Sequence, residues 1–61
     1  MLRTHTIPAR ALTIGQRIVD RRESAPLRIR AIQVCADGSV RITTNLDEQR
    51  LSAAFMVRVL H

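Results

Sequence analysis

The sequence predicts an all-β fold: a single small barrel of five strands, with one helical turn before the last strand and a flexible N-terminal arm. Three observations favour this class. The chain has 61 residues, which is enough for one domain. Apolar and polar residues alternate with a period of two in several short runs, as is typical of half-buried strands. Between two of these runs lies Asp37-Gly38, a dipeptide that marks tight hairpins.

The N-terminal part of the chain divides into three segments. Residues 1–11 are expected to form a flexible arm or an edge strand, because Pro8 disfavours a central strand position. We assign them to an arm and residues 12–61 to the barrel domain. Residues 12–19 (LTIGQRIV) alternate with a period of two and predict the first strand. Residues 20–26 (DRRESAP) are polar and end in proline, which predicts a loop.

The next β-like run begins at Leu27 and predicts a bent strand. Leu27 and Ile29 share one parity, whereas Ile32 and Val34 share the other. A strand presents both pairs to one core only if an extra residue interrupts it. We therefore predict a β-bulge at residues 30–31.

The hairpin that follows is expected to have a three-residue turn with Gly38 in the left-handed conformation. This turn pairs Val34 with Val40 and Ile32 with Ile42, so that β-branched residues face one another. A two-residue turn would instead place core residues opposite surface residues. The register therefore favours the longer turn.

The C-terminal third has two interpretations. Apolar residues recur there at helical spacing, and residues 45–48 (NLDE) fit a helix N-cap. The alternation of Phe55, Val57 and Val59 favours a strand at positions 56 to 60 instead. We prefer the strand. The accompanying elements are then a turn at residues 45–48, a short strand at 49–51 and a single helical turn at 52–54.

The alternation also predicts which side chains form the core. The expected core consists of Ile14, Ile18, Leu27, Ile29, Ile32, Val34, Val40, Ile42, Leu51, Phe55, Val57 and Val59. A second apolar group points away from this set and includes Val19, Ala31, Met56 and Leu60. This surplus on so small a chain indicates self-association or a partner.

Three segments resemble the Src-homology-3-like small barrels, including their translation-factor and Tudor-type relatives: residues 12–19, residues 36–40 (ADGSV) and the final strand (MVRVL). The chain is also similar to short uncharacterised proteins of actinobacteria and their phages. Such barrels bind proline-rich peptides or methylated lysine through clusters of exposed aromatic rings. This chain has no tryptophan, no tyrosine and one phenylalanine, Phe55, which the pattern places in the core. We therefore expect neither activity.

The charge balance points to a polyanionic partner. The formal net charge is +5, and all ten basic residues are arginine. Guanidinium groups bind phosphate in a bidentate manner, but the use of arginine in place of lysine is better explained by codon usage in a GC-rich genome. The surplus of positive charge attracts nucleic acid or an acidic protein surface. The leading prediction is a non-catalytic binding module that contacts nucleic-acid backbone. The predicted contact residues are Arg17, Arg21, Arg22, Arg28, Arg41 and Arg58. The alternative is a protein-interaction adaptor, including a phage-encoded one, that binds an acidic host protein or forms a homodimer.

Other classes have less support in the sequence. His5, His61 and Cys35 do not supply a zinc-ligand set at close spacing, so we expect no metal and no cofactor. The serines fall in predicted turns, and no nucleophile has a positioned base, so we expect no enzyme. A lone cysteine and the lack of a secretory signal or a membrane-spanning apolar stretch indicate a cytoplasmic protein.

Overall fold

Six antiparallel strands form one strongly curled sheet, a half-barrel, in the computed structural model, which describes residues 3–20, 22 and 24–60. The strands are β1 (Thr4–Pro8), β2 (Arg17–Ile18), β3 (Leu27–Val34), β4 (Val40–Thr44), β5 (Glu48–Leu51) and β6 (Met56–Leu60). Their order across the sheet is β1-β6-β2-β3-β4-β5. The predicted all-β class is confirmed, with a 3-10 turn at Ala9–Ala11 as the one helical element of the described residues.

The sheet has six strands rather than the predicted five, and the additional strand is β1. It lies within residues 1–11, which we assigned to a flexible arm. β1 pairs with β6 along its whole length, from Thr4 opposite Leu60 to Pro8 opposite Met56. Because β1 is an edge strand, the missing N–H of Pro8 costs little ladder pairing. Residues 1 and 2 lie outside the described residues.

The β3–β4 hairpin has the predicted geometry. Ile32 lies opposite Ile42, and Val34 lies opposite Val40. Gly38 has a φ of 87°, as the three-residue turn requires. The register shifts between positions 29 and 31, which confirms the β-bulge. The parity change in the sequence therefore reports a real bend in β3.

The predicted first strand is mostly a turn. Only Arg17–Ile18 is strand, because residues 13–16 form a hydrogen-bonded turn. The Gln16 N–H donates to the Thr13 carbonyl at 3.3 Å, and Gln16 Oε1 accepts from the Thr13 N–H at 2.8 Å. Ile14 sits in this turn and is 67% exposed. Its assignment to the core is wrong.

The C-terminal third is a strand, as preferred, and β6 has the predicted limits. The helical turn expected at residues 52–54 is absent. A single tight turn replaces it, closed by the Phe55 N–H, which donates to the Ser52 carbonyl at 3.0 Å. Phe55 lies outside the regular strand and is 56% exposed, so its predicted core position is also wrong.

The core lies on the concave side of the half-barrel. Seven predicted members are buried: Ile18, Leu27, Ile29, Val40, Ile42, Val57 and Val59. Ile32 and Leu51 are partly buried against them, and Ala9 and Leu12 join them. Val34 is wrong, since it is 71% exposed at the end of β3. Leu60 was expected outside the core set and is buried, opposite Thr4 of β1, which lies in the segment assigned to an arm.

Candidate nucleic-acid interface

Arg17 and Arg28 stand directly opposite each other on β2 and β3. Their neighbours Ile18, Leu27 and Ile29 are buried, so alternation places both arginines on the outer face of the sheet, where they are exposed. Within the described ranges, no acid or hydrogen-bond acceptor contacts either guanidinium. Like charges in this position repel each other across about 5 Å between Cβ atoms. The two arginines therefore form an uncompensated basic pair.

Backbone hydrogen bonds on both sides hold this pair in place. The Ile29 N–H donates to the Gln16 carbonyl at 2.9 Å, and the Gly15 N–H donates to the Ile29 carbonyl at 2.8 Å. On the other side, the Arg28 N–H donates to Asn45 Oδ1 at 2.9 Å. These bonds tie the short β2 and the start of β3 to both flanking loops. The separation of the two arginines is thus fixed by the fold.

Arg58 extends the basic surface onto the next strand. It lies on β6 between the buried Val57 and Val59, and its carbonyl accepts from the Val19 N–H at 2.9 Å. Because Ile18 is opposite Val59, Arg58 lies diagonally from Arg17 on the same outer face. We call the set of Arg17, Arg28 and Arg58 the basic face. It spans three neighbouring strands, β6, β2 and β3.

Arg30 was missed by the sequence analysis. It is exposed at the bulge, two residues beyond Arg28, and makes no side-chain ion pair with any described residue. Arg30 lies two residues after Arg28, so the period-two alternation predicted the same outward direction for both side chains up to the bulge. A bulge at residues 30–31 interrupts that parity, so the pattern alone does not determine where the Arg30 side chain points.

Arg41 lies elsewhere. It is on β4, opposite Arg50 of β5, and its Nε is 3.1 Å from Glu48 Oε1. Arg50 in turn has Nη2 at 2.9 Å from Asp37 Oδ2. β3 separates this second pair from β2 in the sheet. The structure therefore does not bring Arg41 together with the basic face.

The loop arginines are not equivalent to the basic face either. Arg22 Nη2 is 3.1 Å from Asp20 Oδ2, and the Arg22 N–H donates to Asp20 Oδ1 at 3.0 Å. The hydrogen bond from the Arg22 side chain is the main reason why the pKa of Asp20 is lowered from its usual 3.8. Arg21 lies outside the described residues.

None of the described acids forms an ion pair with an arginine of the basic face. Asp20 binds Arg22, Glu48 binds Arg41 and Asp37 binds Arg50. Asp47 Oδ1 accepts from the Thr44 hydroxyl at 3.0 Å in the β4–β5 turn. For Asp37, hydrogen bonds from the Ser39 side chain, then from the Ser39 N–H, lower the carboxyl pKa to about 2. The three arginines of the basic face thus have no acidic partner among the described residues.

Metal-ligand clusters and membrane-spanning helices are both absent from the described residues. No three His, Cys, Asp or Glu side chains come together as a metal site in the described part of the chain. Within the same ranges, the fold has no helix with the length and hydrophobicity for a bilayer crossing. Comparison with protein-family models, curated proteins and solved structures finds no match for this chain.

Proposed function

We propose that this protein is a non-catalytic module that binds the phosphate backbone of nucleic acid with its basic face. The observation that carries the proposal is the cross-strand pair of Arg17 and Arg28, which no described acid neutralises. Two facing cations cost stability in the free protein. A row of phosphates removes that cost, because each guanidinium donates two hydrogen bonds to phosphate oxygens in a bidentate contact.

The composition favours contacts to the backbone over the recognition of bases. Stacking on single-stranded bases requires aromatic platforms, and the only residue among phenylalanine, tyrosine and tryptophan is Phe55, which lies apart from the Arg17–Arg28 pair. Phosphate contacts position a protein on nucleic acid without reading its sequence. We therefore expect binding that depends strongly on salt and little on sequence.

The test compares two double variants with equal changes in charge. Arg17→Ala/Arg28→Ala removes the uncompensated pair, and Arg41→Ala/Arg50→Ala removes the pair that has acidic partners. Affinity for a mixed-sequence DNA duplex is measured by fluorescence anisotropy over a series of salt concentrations. We expect the first variant to flatten the slope of log K against log salt by about 1.8, at about 0.9 per lost phosphate contact.

The control variant, Arg41→Ala/Arg50→Ala, has the same net charge as the first variant and should change that slope by less than half as much. If both variants weaken binding equally, net charge alone drives the association and the basic face is not a site. If the parent protein does not bind the duplex at low salt, the proposal is wrong.

A further inference from the structure

An open groove of about 610 Å³ lies between β6 and the free edge of β5. Gln49 and Leu51 of β5 form one wall, and residues at the start of β6 form the other. No residue of β4 lines the groove, so it follows the edge of β5 that has no neighbouring strand. An edge strand of this kind offers unpaired N–H and C=O groups to an added strand.

The groove gathers exposed apolar side chains. Phe55 and Met56 are each more than half exposed, Val19 is 37% exposed, and all three line it. Six large hydrophobic residues are exposed in the described chain, and half of them meet here. Apolar side chains that converge in one concave place mark an interaction surface, whereas scattered ones do not.

The charges around the groove select the partner. Arg58 lines it and has no ion-pair partner among the described acids, while Arg22 at the rim is bound to Asp20. A second copy placed groove to groove about a twofold axis would bring Arg58 towards its own equivalent, which is unfavourable. An acidic side chain in the groove would instead pair with Arg58.

We propose that this groove binds an extended segment of a partner protein as an additional strand on β5, with alternating apolar side chains and one carboxylate that pairs with Arg58. Main-chain hydrogen bonds to the β5 edge supply part of the affinity in this mode. The alternate side chains of the segment pack on Leu51, Phe55 and Met56. The site is separate from the Arg17–Arg28 pair, and Arg58 is the one residue that the two surfaces share.

The test uses two capped synthetic peptides, Val-Thr-Val-Glu-Val and Val-Thr-Val-Lys-Val, titrated into labelled protein while amide spectra are recorded. We expect saturable shifts at Gln49, Leu51 and Phe55, with the Glu peptide binding about fivefold more tightly than the Lys peptide. Arg58→Glu should reverse this preference. Arg28→Glu changes the net charge equally, lies outside the groove and should preserve the preference.

Other outcomes overturn the proposal. Equal binding of both peptides, no saturable shift, or shifts confined to β1 would each exclude an acidic strand on β5. Concentration-dependent dimerisation that Phe55→Ser abolishes would identify a second copy as the occupant. The peptide result is independent of the nucleic-acid proposal, because Arg28→Glu should impair duplex binding and leave peptide binding intact.

Discussion

The molecule contains two cross-strand arginine pairs with the same geometry and different surroundings. Arg17 faces Arg28 across β2 and β3, and Arg41 faces Arg50 across β4 and β5. Each guanidinium of the second pair has a carboxylate within about 3 Å, whereas the first pair has none in the described structure. Under the proposed function, we therefore expect the position of the acids, more than the net charge, to determine which surface binds a polyanion.

Register and turn chemistry explain the difference. Glu48 lies opposite Thr43, which makes it the diagonal neighbour of Arg41 on the same face of the sheet. Asp37 is in the hairpin turn, within reach of Arg50. The connection between β2 and β3 carries two acids: Arg22 binds Asp20 two residues away, and Glu23 lies outside the described residues. None of the described acids therefore compensates the first pair.

The largest expected effect comes from replacing half of the uncompensated pair. Arg17→Glu puts a carboxylate opposite Arg28 and should weaken duplex binding at low salt by at least about tenfold. The same change replaces repulsion by attraction and should stabilise the fold by about 0.5 kcal/mol. Anisotropy and urea unfolding measure the two effects.

Arg41→Glu is the matched control for the combined loss of duplex binding and gain of stability expected of Arg17→Glu. It breaks the ion pair with Glu48 and places two acids close together, so we expect no gain in stability and a smaller loss of binding. A loss of stability in Arg17→Glu would contradict the assignment of Arg17 and Arg28 as an electrostatically strained pair.

The converse change should turn the second pair into a copy of the first. Asp37→Asn with Glu48→Gln removes both acidic partners and raises the formal net charge from +5 to +7. We expect duplex affinity to rise and the salt slope to steepen by up to about 1.8, if both freed arginines reach phosphates. An unchanged slope would show that the surface of β4 and β5 does not contact the duplex even when it is uncompensated.

Much of the fold was predictable because local rules determined it. The parity change after Ile29 forced a bulge, and the Asp-Gly turn fixed the pairing of Val34 with Val40; both are confirmed. The errors arose where period-two alternation occurs without a strand. Ile14 alternates with polar residues and yet sits in a turn, because the Gln16 side chain and backbone both bond to Thr13.

Burial depended on partners that the alternation does not reveal. Leu60 is buried beside a strand, β1, that the sequence analysis treated as an arm. Val34 is correctly paired and still exposed, since it lies at the far end of β3 and outside the core cluster. For the site, outward parity correctly put Arg17, Arg28 and Arg58 on the surface. It said nothing about the acids: Glu48 pairs with Arg41, and its position follows from the β4–β5 register.

The smallest expected effect is a change in the pKa of Asp37, the acid that binds Arg50 of the second arginine pair. The pKa of Asp37 is lowered from 3.8 to about 2, so its charged form stabilises the fold above pH 3.8, and this contribution disappears as the pH falls through about 2. Hydrogen bonding from Ser39 is the largest cause of the lowered Asp37 pKa, ahead of the charge of Arg50.

A carboxyl titration by NMR should therefore show a larger upward shift of the Asp37 pKa in Ser39→Ala than in Arg50→Ala. Arg17→Ala should leave it unchanged, because no described acid contacts that pair. If Arg50→Ala instead causes the larger shift, the charge of Arg50, rather than the Ser39 hydrogen bonds of the turn, is the main reason why the Asp37 pKa is low.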